Sequence, residues 1–312
     1  MTSIGKVGID VHKKERPQVA ESGGIGFMLI YIIVLSIGLL FVPNHLAAQR
    51  LSIMIVVLFL VYLIGIYDDF KKLSAIIKPL ILLLASLPVF IFRVASPNPI
   101  LPFVGATRLT IVYWFIAVFV VAITSNASNM LDVMNGVMVM SGIFISITAF
   151  ISSFILEDQL PSEAIYITRF ASLSLCGVLF AFYLFNKYPA KVFAGDTGSL
   201  GVGSAIGLIA IYGQIEFLLI VALLLHIMNS FTIISSVKGL KERSQMKSRP
   251  VVVEDGIIHA NKDKSAPITL VRLLVAGSPK TEKQVIQSIL SLVLFCCILA
   301  IITAFFMRID IL

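Results

Sequence analysis

The chain has 312 residues, 58% of them hydrophobic and only 13% charged, with a mean hydropathy of +1.01 and a net charge of +7. Soluble domains carry about 25% charged residues. The composition therefore excludes a water-soluble globular protein and predicts an all-α polytopic membrane protein.

Nine stretches are long and apolar enough to span or nearly span a bilayer: 24–42, 51–67, 76–92, 109–124, 136–154, 164–185, 198–212, 217–237 and 285–306. A straight crossing needs ~20 residues, so about nine transmembrane helices are expected. The chain, 1–312, reads as one integral-membrane domain with 238–284 as its large extramembrane loop. Residues 1–23 carry no apolar core of a signal peptide. Cys176, Cys296 and Cys297 lie inside apolar stretches and read as small buried hydrophobes. With nine crossings, one side collects every Lys and Arg except Arg50, Arg93, Arg108, Arg169 and Arg308. The positive-inside rule places that side in the cytoplasm of a multi-pass cell-membrane protein. The basic excess reflects topology first and also favours an anionic substrate; no nucleic-acid partner is expected.

In chain order, the first polar segment is DVHKKERPQVAESGG. It reads as a basic juxtamembrane anchor, or as a segment in which Glu21, near Gly23 and Gly24, approaches a ligand. The second crossing ends at Asp68-Asp69, followed by Lys71 and Lys72. Adjacent carboxylates raise each other's pKa. They suit a metal or cationic site, or else a solvated pair balanced by the lysines. Lys78, just before Pro79, either snorkels or reaches a phosphate. Residues 95–108 hold three prolines and form an external connection, and Trp114 is an interface anchor or a packing residue. The stretch TSNASNMLDVMNG repeats a polar residue every third position. Each step drifts about 60° on a helix, so Asn126, Asn129 and Asp132 share a stripe with Asn135 at its edge. Such a stripe is costly against lipid. It should face a cavity or bind a hard ion, the other reading being helix–helix hydrogen bonding.

Residues 155–163 form an acidic external loop. KYPAKVFAGDTGSLGVG (187–203) places Gly195-Asp196 at the start of the seventh apolar stretch. A helix N-terminus there favours anions. A carboxylate would hold phosphate only through a cation such as Mg²⁺, and otherwise it simply caps the helix. Lys187 and Lys191 add positive charge. His226 and Asn229 read as bundle contacts. In the last loop, RPVVVEDGIIHAN has β-branched runs flanking Asp255-Gly256, a hairpin signal. Too small to fold alone, this hairpin should pack on the cytoplasmic mouth, with Arg243, Lys247, Arg249, His259, Lys262 and Lys264 around it.

Asp68/Asp69, Asn126–Asn135, Gly195-Asp196 and the basic hairpin all fall on one side by the crossing count. Together they suggest a site for Mg²⁺ and a polyphosphate beside lipid. In GIYDDFKKL, NASNMLDVMNGV and YPAKVFAGDTGSLGVG, in that order, and in KKERPQVAESGG, the chain resembles the polyprenyl-phosphate N-acetylhexosamine-1-phosphate transferases over roughly residues 10–285. In look it is most similar to the archaeal and eukaryotic members that use dolichyl phosphate. The resemblance implies that Asp68 and Asp69 match the family's aspartate pair. It implies metal ligation by Asn129 and Asp196, phosphate contact by Lys78 and nucleoside contact by Asn135. Asp132 matches an acid of bacterial members and Glu21 a position near the nucleotide. Asn126, Lys191 and Arg249 are further expected substrate contacts. Two departures stand out. Only His259 remains of a histidine-rich bacterial motif, and a crossing usual before residues 10–23 has no counterpart.

The expected activity is transfer of GlcNAc-1-phosphate from UDP-GlcNAc to a polyprenyl phosphate, releasing UMP, with Mg²⁺ or Mn²⁺ as cofactor, possible homodimerisation, and the site on the cytoplasmic face. The alternative is an intramembrane aspartyl protease, faintly echoed by Tyr67-Asp68 and Ala194-Gly195-Asp196, although Phe193 replaces a glycine of that motif. A transporter is a third class, but the polar residues crowd one face and leave no path across.

Overall fold

The computed structural model describes residues 6–13, 15–241 and 245–309. All nine apolar stretches are helical. The helices are α1 Gly24–Gly38 (prolonged by a 3-10 turn, Leu39–Phe41), α2 His45–Lys71, α3 Ile77–Phe92, α4 Val112–Leu131, α5 Val137–Ile155, α6 Ser162–Asn186, α7 Gly195–Gly213, α8 Glu216–Ala222, α9 Leu224–Val237, α10 Leu270–Ala276 and α11 Glu282–Phe306. Among the described residues, six are long and apolar enough to cross a membrane: α1 with its 3-10 turn, α2, α4, α5, α6 and α11. The pair α8–α9, bent by 66°, makes a seventh if taken as one span, and α3 is shorter.

The remaining apolar stretch became α7, which is the axis of the bundle. Every residue from Thr197 to Gly213 is buried, and α1, α2, α4, α5, α6 and α8 pack around it. A helix walled by other helices meets little lipid, so small and hydroxylated residues replace large apolar ones along it. They allow close approach. A Cβ on Gly24 would lie 2.1 Å from the Gly198 nitrogen, and one on Gly65 would lie 2.5 Å from the Thr197 Cα. The beginnings of α1 and α7 and the end of α2 are thereby drawn together at one end of the bundle.

Helix ends differ from the hydropathy boundaries where polar residues continue a helix. Asn44 caps α2, its side chain accepting from Ala47 N at 2.8 Å. The helix then runs to Lys71, so Asp68 and Asp69 lie on its last turn. α4 runs to Leu131, which puts Asn126 and Asn129 on the helix, with Asp132 as its C-cap.

The N-terminal segment is a hairpin, β1 Val7–Ile9 with β2 Gln18–Ala20. It joins the loop before α7 through Phe193 N to Ala20 O at 2.8 Å and Gly23 N to Phe193 O at 2.9 Å. In the connection at 95–108, β3 Ile100–Leu101 pairs with β4 Gly105–Ala106. Trp114 is buried and edge-on to Tyr113, a packing residue. The expected hairpin is β5 Val251–Glu254 with β6 Ile257–Ala260. Asp255 (φ 46°) and Gly256 (φ 81°) turn it in the left-handed region, as a two-residue loop of this kind requires. A third strand, β7 Lys280–Thr281, pairs with β6. Ile258 is fully buried, and Arg272 ties the loop together through the carbonyls of Asn261 (2.8 Å) and Asp263 (2.9 Å). Arg243 lies outside the described residues. His226 (3.2 Å to Ser141 Oγ) and Asn229 (3.0 Å to Met130 O) are bundle contacts, and all three cysteines are free.

Candidate active site

The two adjacent aspartates at the end of α2 have different partners. Asp69 turns to the start of α7. Its Oδ1 accepts from Asp196 N at 2.9 Å, and its Oδ2 accepts from Thr197 N at 3.3 Å and Thr197 Oγ1 at 2.6 Å. Asp69 thus caps α7 from another helix, satisfying amides that a helix start leaves unpaired. The anion expected at this helix start is the Asp69 carboxylate itself. Gly195 makes this possible. It sits at φ +73°, and a Cβ there would lie 2.6 Å from Asp69 Oδ1.

Asp68 turns to α3. Its Oδ1 accepts from Leu73 N at 2.6 Å, and its Oδ2 is in an ion pair with Lys78. The same ammonium lies 3.0 Å from Asp196 Oδ1. Asn129 Nδ2 donates to that oxygen at 2.6 Å and to Ser199 Oγ at 2.8 Å. Side chains of α3 and α4 therefore converge on one carboxylate oxygen of α7, and α2 joins them through the Asp68–Lys78 ion pair. Among the described residues, the side-chain contacts of Asp196 with Lys78 and Asn129 all fall on Oδ1, and the side chain keeps 30% exposure. Asn129 spends its amino group here and retains its amide oxygen. Oxygen donors of this kind fit a hard cation such as Mg²⁺. Asp132 is half-buried beyond the end of α4. Burial, then Asp196 and Asp69, push its carboxyl up to about 7.

The N-terminal hairpin closes one side of this end. Lys6 Nζ lies 3.5 Å from Asp69 Oδ1 and 4.0 Å from Glu21, and donates to Ser22 Oγ at 2.8 Å. Glu21 is therefore one ammonium away from Asp69. Asn135 is buried and donates to Asp10 Oδ2 at 3.0 Å. Burial pulls the Asp10 carboxyl up, but bonds from Lys13 and Asn135 outweigh it and hold the group below its ordinary value.

Three expected contacts are not drawn in by any of these bonds. Asn126 spends its amide on Ala122 O of its own helix at 2.8 Å. Lys191 is exposed, and its backbone N–H bonds Phe185 O at 2.8 Å. Arg249 is exposed, and its carbonyl accepts from Asn261 at 2.8 Å. Sequence reasoning had missed Ser199, Thr197 and Lys6. Ser199 lies three residues after Asp196 on α7, a same-face spacing that signals it. Lys6 carries no local signal, since the hairpin brings it in.

The protease alternative needs two carboxylates sharing a proton. Here Asp68 and Asp196 meet through an ammonium, and nothing in the arrangement supports that reading.

Asp68, Lys78, Asn129 and Asp196 all lie within the span that a family model matches. The model of glycosyl transferase family 4 matches residues 51–214, a span that runs from within α2 to the end of α7. The chain belongs to this family. It is 33% identical over 209 residues to a protein of Saccharolobus solfataricus named putative UDP-N-acetylglucosamine–dolichyl-phosphate N-acetylglucosaminephosphotransferase, covering 66% of this chain and 62% of that one. The chain thus spans less than two thirds of that relative's length. A protein of the same name from Sulfolobus acidocaldarius is 26% identical, covering 96% of this chain and 88% of its own. A phospho-N-acetylmuramoyl-pentapeptide-transferase of Thermotoga neapolitana is 32% identical, covering 76% of this chain and 74% of its own.

Proposed function

We propose that the protein transfers an N-acetylhexosamine-1-phosphate, GlcNAc-1-phosphate in the first instance, from its UDP conjugate to a polyprenyl phosphate of the dolichyl type at the cytoplasmic face of the membrane. The observation that carries this is the ammonium of Lys78 held between Asp68 and Asp196, with Asn129 on the same Asp196 oxygen. A fixed cation among oxygen donors at a bundle end is suited to a diphosphate whose acceptor lies in lipid. The names of the relatives supply the substrate class.

An acceptor phosphate oxygen attacks the β-phosphorus of the donor. The new P–O bond forms as the bond from that phosphorus to the α–β bridging oxygen breaks, and UMP leaves. Phosphate at neutral pH is already largely ionised, with a second pKa of ~6, so the reaction needs no strong base. Lys78 presents positive charge to the phosphates, and Asp68 fixes its direction. Asp69 holds the first turn of α7, and with it Asp196, in place. Asn129 and Asp196 would hold Mg²⁺, or Mn²⁺ as a substitute. When bound, the ion would supply positive charge that offsets the charge developing on the leaving group.

The test is transfer of radiolabel from UDP-GlcNAc, UDP-glucose and UDP-N-acetylmuramoyl-pentapeptide into organic-extractable lipid, with and without EDTA. Label from UDP-GlcNAc that EDTA abolishes is expected. No label from any donor overturns the reading, and label only from the pentapeptide donor overturns the sugar.

A further inference from the structure

Apart from the Asp196 cluster, one group of chelating side chains among the described residues gathers around the N-terminal hairpin. Asp10 and His12 come from the turn between β1 and β2, and Glu282 is the first residue of α11. Each offers one ligand atom, and these atoms lie within 4.8 Å of one another. Ligand bonds of ~2.0–2.2 Å are reached from there by a small contraction of the Asp10 and His12 side chains on the turn toward Glu282.

Glu282 supplies the independent observation. It is 3% exposed, and neither carboxylate oxygen has a hydrogen-bond partner. The backbone N–H of Asn135 leans toward it without hydrogen-bonding geometry. A buried carboxylate without a partner is expensive, and helix capping does not explain it, because the Thr281/Gln284 capping box serves the start of α11. Asp10 uses Oδ2 for Lys13 and Asn135. Among the described residues its Oδ1 has only a long contact, from His12 N at 3.4 Å, which leaves it available as a ligand.

We propose that Asp10, His12 and Glu282 form a second divalent-cation site, of the zinc type. One imidazole with two carboxylates selects late first-row ions, whereas the all-oxygen set at Asn129 and Asp196 selects Mg²⁺. The ion pins the N-terminal hairpin to the start of α11. Through Asp10 it also sets the position of Asn135. This site does not depend on the transferase reading.

The experiment uses the full chain in detergent, stripped with EDTA, dialysed, and titrated with Co²⁺ as a spectroscopic probe in the presence of excess Mg²⁺. Wild type and Asp196→Asn should show visible d–d absorption saturating at one equivalent, with a rise in melting temperature. His12→Asn and Glu282→Gln should lose the absorption and the rise. Should Glu282→Gln fail to fold, His12→Asn, altering a half-buried turn residue, decides alone. Absent absorption in wild type, or absorption unchanged in the His12 variant, overturns the proposal.

Discussion

The two ends of α2 and α7 both hold buried charge, yet they are built differently. At one end Arg50 is 3% exposed. Its guanidinium bonds Val94 O at 2.9 Å and Tyr212 O at 3.2 Å, with Glu163 at 3.8 Å. Beside it Tyr113 bonds Glu216 at 2.5 Å. Eighteen residues along α2, or about 27 Å at 1.5 Å per residue, Asp68, Lys78 and Asp196 form the other cluster. There Asp196 keeps 30% of its side chain exposed and its ammonium partner is shared. The first network turns its cation inward to backbone carbonyls and serves the bundle. The second leaves oxygens facing outward and can serve a ligand. Tyr212 Oη and Glu216 Oε2 of the first network are also unpartnered but buried; a carboxylate that a ligand can reach, rather than buried charge alone, marks the site.

The contrast predicts where damage appears. Arg50→Met should cost the most stability, about 3–5 kcal/mol for breaking a buried pair, with kcat/KM of the folded fraction unchanged. Thermal melting and turnover on the same preparation measure this, and lost turnover without lost stability would erase the distinction between the ends. Lys78→Met should do the reverse, lowering kcat by about 10²–10³, as for a lost transition-state donor, while the protein still purifies as a monodisperse species. Asp69→Ala lies between the two. It removes a helix cap worth about 0.5–2 kcal/mol and loosens Asp196, so melting temperature and turnover should both fall, turnover less than in Lys78→Met.

The smallest effect sharpens the electrostatics of the open end. Asp132 has its carboxyl at about 7 against an ordinary 3.8. Below pH 3.8 it is protonated folded or unfolded and costs nothing. As pH rises toward 7, the folded state keeps a proton that the unfolded chain has lost, so stability falls through that window and levels off above it. In EDTA, wild type should therefore lose melting temperature relative to Asp132→Asn between pH 5 and 7, with a constant gap above. A gap independent of pH would contradict the assignment.

Much of this was legible in the residues. The apolar runs marked all nine helical stretches, and the Asp255-Gly256 pair marked the hairpin, because each is a local property. The polar words marked Asp68, Asn129 and Asp196 because carboxylates and amides at membrane helix ends have few inexpensive explanations. What stayed hidden was relational. α7 resembles a weak crossing in sequence because its surroundings, not lipid, set its composition. Asp69 looked equivalent to Asp68, and only the meeting of α2 with α7 gives it a different partner. Lys6 reaches Asp69 because the hairpin folds back, and no local pattern encodes that. Lys191 was drawn by its charge near Asp196 and Arg249 by a partial likeness to a family signature, and the structure leaves both exposed.

In the proposed reaction, transfer depends on a metal held by Asp196 and Asn129. This dependence is tested most directly by UMP release from UDP-GlcNAc and polyprenyl phosphate across a Mg²⁺ titration, comparing wild type with Asp196→Asn of matched melting temperature. The account predicts no release in EDTA, saturable Mg²⁺ activation in wild type, and turnover reduced by about 10²–10³ in the variant. Wild-type turnover in Asp196→Asn at ordinary Mg²⁺ would contradict it.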